Sequence, residues 1–302
     1  MADPLRHAVL GAGGIGGLIG ASVAHFGAPV TLVVRREALA TYPRQLRLES
    51  PFGKFEVPVT ASAEVPPADV LWITVKAPDL PASLASVTHP ESVRAIVPLL
   101  NGVDHIAALR SRYGNEKVIA ATIAVESERV APGHIIHRSP FARLNVHSSG
   151  EPLLAGTLSQ FQQLGFECKF IAHEPTLMWG KLVFLAAFAL TTTAGDITTG
   201  QILGDPAWRE LGLSCIREAC AVAAAEGAKI DVDALIASVM KMPGNMRSSM
   251  QKDVEQGRTP ELDAIAGPIL RGARRHGIDI PSTKKLVAAV EQRAGLAQSL
   301  LA

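Results

Sequence analysis

Apolar residues change their spacing part-way along this chain. In the first half they come as short runs: His7-Ala8-Val9-Leu10, Val30–Val34, Leu46–Glu49, Lys54–Val59, Val70–Val75, Ala95–Leu100, Val118–Val125, His134–His137 and Leu144–His147. Continuous runs such as Val70-Leu71-Trp72-Ile73-Thr74-Val75 predict parallel strands buried on both faces. The pair 46–49 and 54–59, joined through Pro51-Phe52-Gly53, predicts a peripheral antiparallel hairpin. From His173 onward, spacings of three and four take over. They predict helices over Leu177–Ala194, Pro206–Glu226, Val232–Met240, Met246–Gln256, Glu261–His276 and Ser282–Ser299. The change of period divides the chain into an α/β domain over 1–172 and an all-helical domain over 173–302.

The first strand runs straight into Gly11-Ala12-Gly13-Gly14-Ile15-Gly16, which opens an apolar helix and leads to a second strand. The glycines of such a turn differ in what they permit. Gly11 allows the tight turn, Gly13 lets backbone approach a pyrophosphate, and Gly16 lets the helix pack on its strand. The helix N-terminus then offers unpaired N–H groups to phosphate. The expected architecture is a Rossmann-type, doubly wound N-terminal domain binding a dinucleotide, with a ligand cleft between it and the helical domain. NAD-preferring sites place a carboxylate at the end of the second strand, but this chain has Arg35 and Arg36 there. A guanidinium suits a 2′-phosphate, so the expected cofactor is NADP(H). Taken alone, the two arginines also suit a solvated loop.

Bulk properties narrow the field. The 302 residues are 48% hydrophobic, enough for two cores. Twenty-nine basic residues face 28 acidic ones, so no electrostatic footprint for nucleic acid or an anionic membrane is present. The three cysteines, Cys168, Cys215 and Cys220, lack CxxC spacing and read as buried thiols of a reducing, cytoplasmic compartment. The N-terminus shows no signal-peptide pattern. The longest apolar run, Leu182–Ala194, is short for a bilayer and reads as a buried helix. His134 and His137 point to opposite faces of one strand, and no metal site is expected.

Three polar positions carry candidate chemistry. Lys76 follows a buried strand, where ligands of open α/β sheets lie, although surface lysines also end strands. Asn101 follows another, in Leu100-Asn101-Gly102, and can both donate and accept; Asn-Gly is also an ordinary turn. Lys181, in Trp179-Gly180-Lys181-Leu182, precedes an apolar run and must snorkel outward or point into a site. A desolvated lysine has a lowered pKa and can protonate an alkoxide formed by hydride addition to a carbonyl.

Together these segments resemble the ketopantoate reductases (2-dehydropantoate 2-reductases). The resemblance continues through Thr74-Val75-Lys76-Ala77, Ser248-Ser249-Met250-Gln251-Lys252-Asp253, Glu261-Leu262-Asp263-Ala264-Ile265 and Arg275-His276-Gly277-Ile278-Asp279-Ile280-Pro281. It implies NADPH-dependent reduction of a 2-oxo acid, with 2-dehydropantoate the first candidate, and is compatible with a homodimer. By the same resemblance Lys181 is the general acid and Glu261 the carboxylate that orients it or the substrate. Lys76 and Asn101 contact cofactor and substrate, Ser249 binds the substrate carboxylate, and Arg35 takes the 2′-phosphate. By themselves Ser249 reads as a surface or capping serine and Glu261 as a solvated first-turn acid.

The family's asparagines four and eight residues after the lysine are replaced by Leu185 and Ala189, and Ala266 stands where another is common. The expected pocket is therefore more apolar than usual. Reduction of another 2-oxo or 3-oxo acid or an imine, and non-catalytic NADPH sensing, are the alternatives.

Overall fold

A computed structural model describes residues 4–297, 300 and 301. The chain divides into two compact units, 1–100 with 105–172, and 101–104 with 173–302.

The first unit begins with β1 (His7–Leu10), α1 (Gly14–His25), β2 (Val30–Val33), α2 (Arg36–Leu39), β3 (Gln45–Ser50), β4 (Gly53–Pro58), β5 (Thr60–Ser62) and β6 (Val70–Ile73). It continues with α3 (Leu80–Ser83), β7 (Ala95–Pro98), α4 (Asp104–Tyr113), β8 (Ala121–Ala124), β9 (Ser127–Ala131), β10 (His134–His137), β11 (Arg143–His147), α5 (Glu151–Leu164) and β12 (Glu167–Ile171). Five strands form a parallel sheet in the order β5-β2-β1-β6-β7. The chain winds outward through β2 and β5, then returns to the other side of β1. That reversal is a topological switch point, where such sheets bind ligands.

The parallel sheet is buried on both faces, as its continuous apolar runs predict. Val9, Leu32, Trp72 and Val97 enter one core, while Ala8, Leu10, Leu71, Ile73 and Ile96 enter another. Alternation of side chains along each strand produces this division.

The hairpin β3–β4 is antiparallel, as expected, but belongs to a four-stranded sheet ordered β4-β3-β10-β9 that packs on α1. The run 118–125 is not one strand. Val118 makes a single bridge to Ile96, whereas β8 pairs antiparallel with β11 in a third sheet, β12-β11-β8. His134 and His137 have different partners: His134 meets Glu49, while the buried His137 meets Ser50 and Ser139.

The second unit contains α6 (Glu174–Gly195), α7 (Thr199–Gly204), α8 (Pro206–Ala225), α9 (Val232–Val239), α10 (Ser249–Glu255), α11 (Leu262–His276) and α12 (Pro281–Arg293). α12 ends earlier than predicted, and Ser299, its predicted end, lies outside the described residues. Helix α6 is central, contributing Trp179, Leu182, Val183, Ala186 and Leu190 to one core with Ile216, Met250 and Ile265. By length and composition α6 could cross a membrane, which overturns the sequence-based length argument. Its burial supplies a better reason for reading it as a core helix, since 67% of its most apolar window is inside the fold. Cys168, Cys215 and Cys220 are free and buried, and desolvation pushes their thiols up to about 12, 12 and 11.

Candidate active site

The candidate residues fall into two groups, one in each unit. In the first unit, Gly11 has φ +104, a conformation that side chains disfavour. A Cβ at Gly16 would collide with the Gly11 carbonyl and lie 2.5 Å from Thr74 Oγ1. The Thr74 hydroxyl donates to the Gly11 carbonyl at 2.6 Å, so the residue that follows β6 holds the turn in place. Gly13 differs from both, because a Cβ there would meet nothing within 4 Å.

Gly13 is also the N-cap of α1, without a side-chain cap, and the first turn of the helix carries no acid. The amide donors at this end are thus left for an anion. These features fit a dinucleotide pyrophosphate: space over Gly13, donors without a side-chain cap and a first helical turn without an acidic residue. Ala12 is buried and Ile15 partly buried, so neither offers polar side-chain chemistry.

Arg35 caps α2 in extended conformation with its side chain 84% exposed, and its guanidinium is 4.0 Å from Asp79. An exposed pair of that length contributes little and leaves the guanidinium available. Arg36 instead donates to Glu64 at 3.1 Å. Lys76 is exposed three residues beyond the end of β6 and precedes a short helical turn, Ala77–Asp79.

In the second unit, the short segment 101–104 lies along the start of α11. Gly102, at φ +87, comes so close to the Ala264 carbonyl that a Cβ would collide with it. Asp104 pairs with Arg271, which also binds Asp263. This placement brings Asn101 to Glu261, the N-cap of α11, and to Lys181 on α6. Lys181 Nζ donates to Asn101 Oδ1 at 3.0 Å, and Asn101 Nδ2 donates to Glu261 Oε2 at 3.0 Å. Desolvation pulls the Lys181 ammonium down from 10.5 to about 8, opposed by the charge of Glu261. A partly buried lysine with that pKa is matched to proton transfer near neutral pH.

Three of the sequence-selected residues, Asn101, Lys181 and Glu261, are therefore linked in one hydrogen-bonded chain. Ser249 is not joined to it by any hydrogen bond among the described residues. It is exposed at the first position of α10, while its neighbour Ser248 is buried. Ser248 Oγ lies 2.8 Å from Thr192 Oγ1 in a hydroxyl–hydroxyl hydrogen bond and accepts from the Gln251 amide at 3.1 Å. The Ser-x-x-Gln spacing of a helix N-cap is the sequence signal for this distinction.

Leu185 is partly buried and Ala189 and Ala266 are fully buried, so none adds a hydrogen-bonding group. Thr191 and Thr192 do not replace the missing amides, because their hydroxyls bond back to the Ala187 and Phe188 carbonyls. One turn beyond Lys181, an apolar pocket opens among α6, α7 and α8. Its lining includes Phe184, Phe188, Ile202, Leu213, Ile216 and Met242. Phe184 and Phe188 stack with their ring centres 5.8 Å apart.

Two family models match the chain. The one described as ketopantoate reductase PanE/ApbA covers residues 7–149, and its C-terminal counterpart covers 176–294. An uncharacterized oxidoreductase, YkpB of Bacillus subtilis (strain 168), is 29% identical over 94% of this chain and 97% of its own. A 2-dehydropantoate 2-reductase of Caulobacter vibrioides is 29% identical over 95% of this chain and 98% of its own. The crystal structure of a PanE/ApbA family ketopantoate reductase from Ralstonia eutropha JMP134 superposes with a TM-score of 0.84. It is 25% identical and covers 96% of this chain and 99% of that one.

Proposed function

This chain belongs to the ketopantoate reductase family, and from that premise we propose that it reduces 2-dehydropantoate to pantoate with NADPH. It is an oxidoreductase acting on CH–OH groups, in a family that uses a nicotinamide cofactor. The carbonyl-reduction step is supported by one observation, the chain Lys181–Asn101–Glu261 with its lysine pulled down to about 8 by desolvation.

When bound, NADPH supplies a hydride to the carbonyl carbon of the 2-oxo acid. Lys181 donates the proton that the developing alkoxide needs. Asn101 accepts a hydrogen bond from the ammonium and so fixes the direction of its remaining protons. Glu261 keeps the ammonium charged against desolvation, since opposite charge favours the protonated form. Gly13 and the start of α1 take the pyrophosphate, and Arg35 takes the 2′-phosphate. The roles of Lys76, toward cofactor and substrate, and of Ser249, toward the substrate carboxylate, are supported by the family resemblance alone.

A second reading has its own support. The apolar Leu185, Ala189 and Ala266, with the pocket along Phe184 and Phe188, favour a 2-oxo acid bearing a larger apolar side chain. Sites built to read a hydroxyl lose much of their discrimination when the partnering group is absent.

Both readings are tested by following NADPH oxidation across a panel of 2-oxo acids. Efficiency on 2-dehydropantoate of about 10⁴ M⁻¹s⁻¹ or more supports the first. A preference for unhydroxylated, bulkier acids supports the second, and no turnover with any 2-oxo acid rejects both.

A further inference from the structure

The glycine loop has a basic neighbour outside its own motif. Strand β9 runs beside α1, and its alternation decides which side chains face the loop. Arg129 lies opposite Ile135 in the β9–β10 register, and the Ile135 side chain presses on Gly17 of α1. Cross-strand partners share a sheet face, so Arg129 is on the face turned toward α1. Ser127, two residues earlier, has the same orientation and donates to the Gly14 carbonyl at 2.9 Å. Between them, Glu128 takes the opposite face and pairs with Arg138 at 2.9 Å.

The guanidinium of Arg129 is 3.5 Å from the Ala12 carbonyl, inside the glycine loop. Among the described residues Arg129 forms no ion pair, and a contact of that length leaves its donors largely unused. The helix terminus supplies only about half a positive charge, whereas a pyrophosphate carries two negative ones. An arginine beside the loop offsets most of the remainder.

We propose that Arg129 is a pyrophosphate-binding residue of the cofactor site, acting from β9 where Arg35 acts from the end of β2. The proposal rests on the dinucleotide reading of the glycine loop. The two arginines then serve different phosphates. Arg129 meets the part shared by NADH and NADPH, and Arg35 meets the 2′-phosphate that only NADPH has.

Calorimetric titration of the full chain with each dinucleotide tests this, using Arg129→Gln, Arg129→Lys and Arg35→Gln. Arg129→Gln should weaken NADH and NADPH by the same factor, about tenfold to a hundredfold for a lost charge-assisted bond. Arg129→Lys should recover part of the loss, and Arg35→Gln should weaken NADPH alone. The side chain is exposed, so cofactor-free melting temperatures should match the parent protein. Unchanged affinity for both dinucleotides in Arg129→Gln overturns the proposal. Loss confined to NADPH also overturns it, by moving Arg129 to the ribose phosphate. Failure of the parent protein to take up either dinucleotide removes the cofactor reading itself, and this assignment with it.

Discussion

Asn101 stands between a cation and a carboxylate: it accepts from Lys181 Nζ at 3.0 Å while its own amide donates to Glu261 at 3.0 Å. A side-chain amide is suited to this place because it is neutral and offers both functions at once. The lysine thereby keeps its orientation while its direct electrostatic support comes from farther away, and desolvation still lowers its pKa to about 8.

Lys181→Ala removes the proposed proton donor and leaves the glycine loop intact. Turnover with the preferred 2-oxo acid should fall by about 10²–10⁴, the usual contribution of general acid catalysis. NADPH affinity, measured by calorimetry, should stay at the parent value. Turnover that survives the substitution takes Lys181 out of the mechanism.

In the proposed mechanism reduction consumes the ammonium proton, so it requires Lys181 in its charged form. With the pKa at about 8, the rate of reduction should fall as pH rises through that value. Oxidation of the alcohol, which needs the neutral amine, should rise over the same interval. Glu261 raises the lysine pKa against desolvation. Glu261→Gln should therefore shift the inflection to lower pH in a kcat/KM–pH profile. A shift upward, or none, contradicts the assignment of Glu261.

Two glycines of one motif should respond differently to alanine. Gly16→Ala forces a Cβ against the Gly11 carbonyl, and overpacking of that kind costs about 1–3 kcal/mol in a urea titration. Gly13→Ala projects into open space. It should unfold at the parent midpoint yet bind NADPH more weakly, because the methyl group occupies the place proposed for the pyrophosphate. Loss of stability without loss of affinity at Gly13 would make it a packing residue.

Helix α12 has no side-chain cap of its own at Ile280. Glu218 of α8 serves instead, accepting from the Ser282 amide at 2.8 Å and from the Thr283 amide and hydroxyl at 2.7 Å each. Glu218→Ala should lower stability by about 1.5–3 kcal/mol, as for other hydrogen bonds to a charged group. Urea unfolding measures this directly, and a change below about 0.5 kcal/mol would show that water replaces the carboxylate.

Legibility in the sequence follows burial. Strands β1, β6 and β7 are visible because both faces are buried, which leaves an unbroken apolar run. Strands β5, β9 and β12 are not, because exposed or half-buried positions break their patterns. Arg129 is hidden for the same reason, since nothing in Ser127-Glu128-Arg129 marks a strand until its pairing with β10 is known.

Local order along the chain already contains the glycine turn, the arginines that follow β2 and the passage from sheet to helices, because each depends on residues a few positions apart. Tertiary packing alone joins Lys181 to Asn101, 80 residues away, and Asn101 to Glu261, 160 residues away. It also separates the buried Ser248 from the exposed Ser249. The lysine's acidity belongs to this second class, because desolvation and a neighbouring charge are properties of surroundings that only the folded chain assembles.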